Sequence, residues 1–241
     1  MKLIEITKDE IKGKIGLMPL GSIEQHGPHL PMGTDGIVVE WIAQKVEERF
    51  RDQVLLYPTL YYGCSKEHYG FPFLSVGYLN MINFLLDIVN SSKNAGISSL
   101  IIVNGHGGNE SVLDIIRREV NMSNDNCFKL HIFSIVGRDR DLFPNIIDMH
   151  AGSVETSRIY AINRRLVRED KLKEVDDFTI KDGVFKMIPT SEANKYGIIN
   201  VGGRVEIDEE KGRMSLESSV KDLSDLVRKV LEQIKNCGNN A

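Results

Sequence analysis

The chain has 241 residues, 41% hydrophobic and 27% charged, which is a globular composition and excludes a disordered one. Its length suits one α/β domain over residues 1–241 that buries a core without disulfides or a structural metal. With 30 basic against 34 acidic residues, a formal net charge of −4 and no long basic run, nucleic acid is excluded as a partner.

Met1-Lys2-Leu3-Ile4-Glu5 reaches charge too early for a signal peptide, so a cytoplasmic location is expected. Cys64, Cys127 and Cys237 are far apart and form no C-x-x-C pair. Three reduced thiols are expected, with neither a disulfide framework nor a thiolate zinc site.

Residues 14–20 predict a short buried strand that stops at Gly21. A helix follows over 36–50, with Val38, Ile42 and Val46 four apart, and residues 54–57 form a second apolar run before Pro58. The most apolar window, Phe71 to Val89, contains Pro72, Gly77, Asn80, Asn83 and Asp87. It predicts a loop entering a core helix rather than a membrane span. Ile82, Leu85, Leu86 and Val89 give that helix its stripe, and Gly96 ends it. Ser99 to Val103 is a strand bounded by Asn104-Gly105. The helix after it places Val112, Ile115 and Ile116 on one face. Leu130 to Val136 is a further strand that contains His131, read as structural. Residues 153–165 are helical, with Ser153 as N-cap, and residues 170–213 show turns and charge without a period. Val220, Leu223, Val227, Val230, Leu231 and Ile234 pattern a final helix. Strands alternating with helices predict a mostly parallel sheet covered on both faces, with its site beyond the carboxyl ends of the strands.

The chemistry-bearing residues gather at those ends. Glu24 and His26 are two apart, so extended backbone aims both the same way. His29 and Asp35 follow across Gly and Pro turns. Carboxylate with imidazole suits zinc, iron(II) or manganese, and Asp35 has two oxygens to bridge a pair of ions. A loop this rich in carboxylates and histidines is costly to place without a counter-charge. The second cluster, Asn104-Gly-His106-Gly107-Gly108-Asn109, presents His106 at a strand end. Its glycines allow close backbone approach to a substrate phosphate or oxyanion. It contains neither a P-loop nor a G-x-G-x-x-G pattern. In the third, His150 stands five residues before Glu155 at a helix entry. His68 reads as pocket-lining. No G-x-S-x-G elbow is present, so hydrolysis by metal-activated water is the chemistry implied. The reading from another class is a non-catalytic phosphate- or nucleotide-binding protein, which leaves Glu24, His26 and Asp35 without a task.

Gly21-Ser-x-Glu-Gln-His-Gly-Pro-His-Leu-Pro…Thr34-Asp35, Asn104-Gly-His-Gly-Gly-Asn109 and His150-Ala-Gly…Glu155-Thr-Ser157 resemble the creatininase (creatinine amidohydrolase) family over about residues 14–160. The resemblance implies a three-layer α/β/α sandwich, two divalent metal ions, hydrolysis of an amide or cyclic amide, and a homo-oligomer acting on a small molecule. It makes Glu24, His26, Asp35 and His106 metal ligands, with Asp35 bridging, and His150 an aid to proton transfer. Creatininase has a glutamate where this chain has Gly108, and Glu155 is the expected substitute ligand and partner in proton transfer. His29, His68, Gly107, Gly108 and Asn109 are expected to line the substrate pocket. The Gly-Gly form resembles an archaeal deformylase that releases formate from 2-amino-5-formylamino-6-ribosylaminopyrimidin-4(3H)-one 5'-monophosphate, a step of riboflavin and deazaflavin biosynthesis. Hydrolysis of creatinine or another cyclic amide is the alternative on the same site, and other branches of the family resemble peptidases that trim redox-cofactor precursors. Lys66 and Arg138 are candidate phosphate contacts.

Overall fold

The computed structural model describes residues 1–123 and 127–238. Four parallel strands make the main sheet: β1 (Ile15–Leu20), β3 (Val54–Leu56), β5 (Ser99–Asn104) and β6 (Lys129–Ser134), in the order β3-β1-β5-β6. Two antiparallel pairs flank it. One joins β2 (Ile23–Glu24) to β4 (Phe73–Leu74), the other β7 (Ile147–His150) to β8 (Ile199–Val201).

The strands are buried on both sides, so they read as continuous apolar runs rather than alternating ones. Ile15, Leu17, Ile101 and Val103 pack toward α1 (Thr34–Arg49), α4 (Ser153–Asn163) and α7 (Glu209–Gly238). Met18, Leu20, Leu100, Ile102 and Leu130 pack on the opposite face toward α2 (Tyr78–Asn94) and α3 (Glu110–Asn121). The result is the expected three-layer α/β/α arrangement. On α1, Val38, Ile42 and Val46 are all buried, and each contributes about 1.5–3 kcal/mol of transfer free energy. Helix α2 gives way at Gly96, whose φ of +89° is the left-handed conformation that glycine adopts without steric cost. No helix among the described residues is long and apolar enough to cross a membrane.

Several expectations are corrected. Ile115 is 51% exposed and lines a cavity, while Leu113 takes the core position on α3. Ser153 is the first residue of α4 rather than its side-chain cap. The Asp148 carboxylate accepts from the backbone of Gly152 and Glu155 (both 2.9 Å), and the Ser153 hydroxyl accepts instead from Glu206 N. The unread stretch 170–213 holds the short helix α6 (Thr190–Ala193), β8 and the start of α7, and the short α5 (Glu169–Leu172) overlaps its beginning. These pieces are too brief for a period to show. Cys127 and Cys237 form a disulfide across 110 residues, leaving Cys64 free and buried, so the expectation of three reduced thiols fails. Their spacing could not reveal that the end of α7 returns to the entry of β6.

Candidate metal centre

Strand order places the site. From β1 the chain moves to β3 on one side, and from β3 it crosses back to β5 on the other. The crevice beyond the ends of β1 and β5 is the switch point where such sheets form sites. Beyond β1, Gly21 and Ser22 lead into β2, which presents Glu24. The loop then returns to the first turn of α1, which carries Asp35. Ser22 Oγ donates to Asp35 Oδ2 at 2.6 Å and fixes that carboxylate. Beyond β5, Asn104 brackets His106: its amide donates to the His106 carbonyl (2.8 Å) and its Oδ1 accepts from His106 N (3.2 Å). The end of β7 brings in His150, and the first turn of α4 brings in Glu155.

The donors form contiguous sets. Ligand atoms of Glu24, Asp35 and His106 lie within 4.8 Å of one another, as do those of His26, His150 and Glu155 and those of Glu24, His68 and His150. Asp35 joins the first two. Its Oδ2 is 3.2 Å from His106 Nδ1 and its Oδ1 is 3.2 Å from His26 Nε2. Glu155 Oε2 stands 3.7 Å from the same His26 nitrogen.

Each imidazole has its far nitrogen tied to a carbonyl oxygen, which forces the proton onto that nitrogen. His26 Nδ1–H donates to the Glu24 carbonyl (3.1 Å), His106 Nε2–H to that of Cys64 (2.9 Å) and His150 Nε2–H to that of Gln25 (2.7 Å). The remaining nitrogens face the carboxylates, the side that metal-ligating histidines turn to an ion. His68 is set the other way. The Gln25 amide donates to its Nδ1 (3.0 Å), so its Nε2–H points at Glu24 Oε1, 3.0 Å away.

Electrostatics divide these groups. Burial alone would raise Glu24, but His106 and His68 outweigh it and hold the carboxyl well below its ordinary range. Burial opposes ionisation of Asp35 too, and His26 overcomes it. Burial would lower His26, yet Asp35 and then Glu155 push it up to about 10. Burial, then His26 and His68, press His150 well below the imidazole value and keep it neutral. Glu155 goes the opposite way: burial, then the neighbouring Asp148 carboxylate, push it up to about 8.

A cavity of about 690 Å³ opens onto these groups. Glu24, Asp35, His106, His150 and Glu155 are on its lining, with His68, Gly107 and Gly108. The expected pocket residues His29 and Asn109 are not. His29 is buried behind the loop with its Nε2 2.8 Å from Thr156 Oγ1, so it ties the first motif to α4. Asn109 is fully buried: its amide donates to Gly21 O and Asn104 Oδ1, and its oxygen accepts from Cys64 N. It clamps three loops together. His26 is buried between Asp35 and Glu155, off the cavity surface. Lys66 lies over the Tyr78 ring, off the cavity lining, and Arg138 lines the cavity with one nitrogen paired to Asp222 at 2.6 Å. His131 lies in β6, away from the cavity.

Asp148, Glu67, Arg158 and Phe185 are among the lining residues that were not anticipated. Asp148 is two residues before His150 on an extended strand, a spacing that signals a shared face. Glu67 directly precedes His68. Arg158, one turn beyond Glu155 on α4, is held by Asp139 (3.2 Å) and Ser215 (2.7 Å). Phe185 presents its ring edge to His68 and His150, both centroids 6.4 Å away, and nothing in its local sequence signals this. Among the described residues, the non-glycine residues with positive φ are Asp139 (+62°), which holds Arg158, Ala151 (+53°), whose N–H donates to Glu155, and Phe185 (+68°). Backbone strain of this kind is expected where a site dictates geometry.

The chain is similar to several known proteins. The mycofactocin precursor peptide peptidase of Mycolicibacterium smegmatis is 36% identical over 165 residues, covering 65% of this chain and 61% of that peptidase. The 2-amino-5-formylamino-6-ribosylaminopyrimidin-4(3H)-one 5'-monophosphate deformylase of Methanococcus maripaludis is 27% identical over 238 residues, 94% of this chain and 96% of the relative. A solved creatininase described by its manganese shares the fold with a TM-score of 0.77 at 24% identity, over 95% of this chain and 97% of that one. The sequence pattern of the creatininase (creatinine amidohydrolase) family matches residues 1–227, and the chain belongs to that family.

Proposed function

We propose that residues 1–241 form one amidohydrolase domain that cleaves a carbon–nitrogen bond of an amide with two divalent cations. Glu24, Asp35 and His106 hold one, and His26, Asp35 and Glu155 hold the other. The observation that carries this reading is the Glu24 carboxylate. It is buried, with His68 Nε2 and His106 Nδ1 3.0 and 3.2 Å from its Oε1, and no partner reaches its Oε2. A buried carboxylate with one oxygen left unpartnered is costly, and a cation is a partner that offsets it. Nitrogen and oxygen donors suit zinc, iron(II) or manganese, and ions bound there supply Lewis acidity that acidifies water and polarises the amide carbonyl.

The chain's own groups do the rest. Asp35 lends one oxygen to each donor set and fixes their separation. His150 keeps its Nδ1 out of the bond to Gln25 and lines the cavity with Glu155, where the two would carry the proton that goes to the leaving amine. Phe185 covers the imidazoles from the cavity side.

The substrate we favour is the formamide of the formylamino-pyrimidine ribosyl phosphate. The full-length alignment to the deformylase and a cavity within the range of nucleotide-sized ligands support it. A second reading, hydrolysis of a peptide amide, draws on the 36% identity to the peptidase and on an apolar cavity wall that includes Ile115, Ile135, Val136 and Val154. A homo-oligomer belongs to the same proposal and is read by size-exclusion chromatography with light scattering. The test is metal analysis of purified protein with an assay of the formylamino-pyrimidine, a short peptide and creatinine. Two ions per chain and chelator-sensitive formate release are expected. Full activity in His26→Ala and Asp35→Ala would sink the assignment. Peptide cleavage without formate release moves the substrate to the second reading.

A further inference from the structure

The second nitrogen of His106 faces two acceptors. One is the Cys64 carbonyl at 2.9 Å. The other is Glu67 Oε1 at 3.1 Å, on the 3-10 turn Lys66–His68. Glu67 is 10% exposed, and His106 is its one polar partner at ion-pair distance among the described residues. A nearly buried carboxylate with a single imidazole partner does little to hold a loop. It does make the opposite nitrogen, Nδ1, a stronger electron donor. That nitrogen stands 3.2 Å from both Glu24 Oε1 and Asp35 Oδ2.

Gly108 makes the room. A Cβ at this position would overlap the Cys64 carbonyl oxygen and the Glu67 carboxylate, and would lie 2.5 Å from His106 Nε2. A side chain there therefore displaces both acceptors of the His106 proton at once. Gly108 lies on the cavity lining, yet its absent side chain opens space toward Glu67 and not toward a substrate phosphate.

We infer that Glu67 is a positioning residue that sets the donor strength and ring angle of His106, and that Gly108 is glycine to admit it. This rests on the two-cation reading above. The effect is confined to the set Glu24, Asp35 and His106, because Glu67 touches neither His26 nor Glu155.

The test measures cation affinity by competition with a calibrated chelator, on the full chain, for wild type, Glu67→Gln, Glu67→Ala, Glu67→Asp and Gly108→Ala, using zinc as probe. Glu67→Gln and Glu67→Ala are expected to weaken one of the two ions by about 10–100-fold and leave the other unchanged. Glu67→Asp should recover part of the loss. Gly108→Ala should weaken the same ion. Far-UV circular dichroism and the Tm of the metal-free proteins should match wild type, separating positioning from folding. Should Glu67→Ala misfold, the near-isosteric Glu67→Gln decides. Two ions held by Glu67→Gln at wild-type affinity overturn the inference and leave the proposed function standing. A wild type that binds no zinc overturns both.

Discussion

The two donor sets differ in how they are built and in how they hold charge. Glu24, Asp35 and His106 come from β2, the first turn of α1 and the turn after β5, just beyond two adjacent strands of one sheet, and their side chains are at most 6% exposed. His26 follows β2, but its partners His150 and Glu155 come from β7 and α4, and the Glu155 side chain is 22% exposed. The inner carboxylates are held ionised by flanking imidazoles, while Glu155 is pushed toward its neutral form by burial and by Asp148. An enclosed set made by local turns is ready for a cation. The outer set needs the tertiary approach of α4 and works against a second carboxylate.

The largest effect is expected where the sets meet. Asp35→Asn removes the negative charge and replaces one of the two shared oxygens by an amide nitrogen, so both ions should leave, and hydrolysis should fall to that of chelator-treated protein. Metal analysis with the substrate panel checks this. Next, Glu24→Gln and Glu155→Gln should separate the sets. Each should lose one ion per chain, and Glu155→Gln should keep the more tightly held one, as read by stepwise titration. Equal residual affinities would erase the distinction between inner and outer.

Asn109→Ala tests how far the inner set depends on loop clamping. It leaves Cys64 N without its partner and removes one hydrogen bond each from Gly21 O and Asn104 Oδ1, a cost of about 1–3 kcal/mol in denaturant unfolding. The smallest effect concerns His29 on the outer side. Burial, then His26, lowers it to about 3, so it is neutral in the fold. The unfolded chain takes up its proton near the ordinary imidazole value of about 6.5, so the unfolded state binds more protons between these values. Stability from neutral His29 is whole above about pH 6.5 and is lost as pH falls toward 3. His29→Gln, measured in chelator, should flatten this limb by about 1–2 kcal/mol at pH 5. Parallel curves for variant and wild type would exclude the titration.

Much of the inner set was legible. Glu24 and His26 share an extended segment, Asp35 follows within one turn-rich loop, and His106 sits at the end of an apolar strand. Near neighbours in the chain stay near in space whatever the rest of the fold does. The same proximity misled at His29 and Asn109. Both sit inside the motifs, and sequence cannot tell a polar side chain that meets a ligand from one that meets a backbone carbonyl. Residues 170–213 were opaque because their helices and strand are three or four residues long, shorter than one cycle of the pattern that identifies them.

Strand and helix order, the crevice they create and the ligand chemistry of the first motif were written in local spacing, since hydrophobic period and turn residues act over a few positions. The partner of His26 across α4, the reach of Glu67 into the gap left by Gly108, the Phe185 cover and the Cys127–Cys237 bond belong to packing. They join residues about 40 to 130 apart in the chain. Such contacts are set by how layers dock, a distance no residue's own neighbourhood encodes.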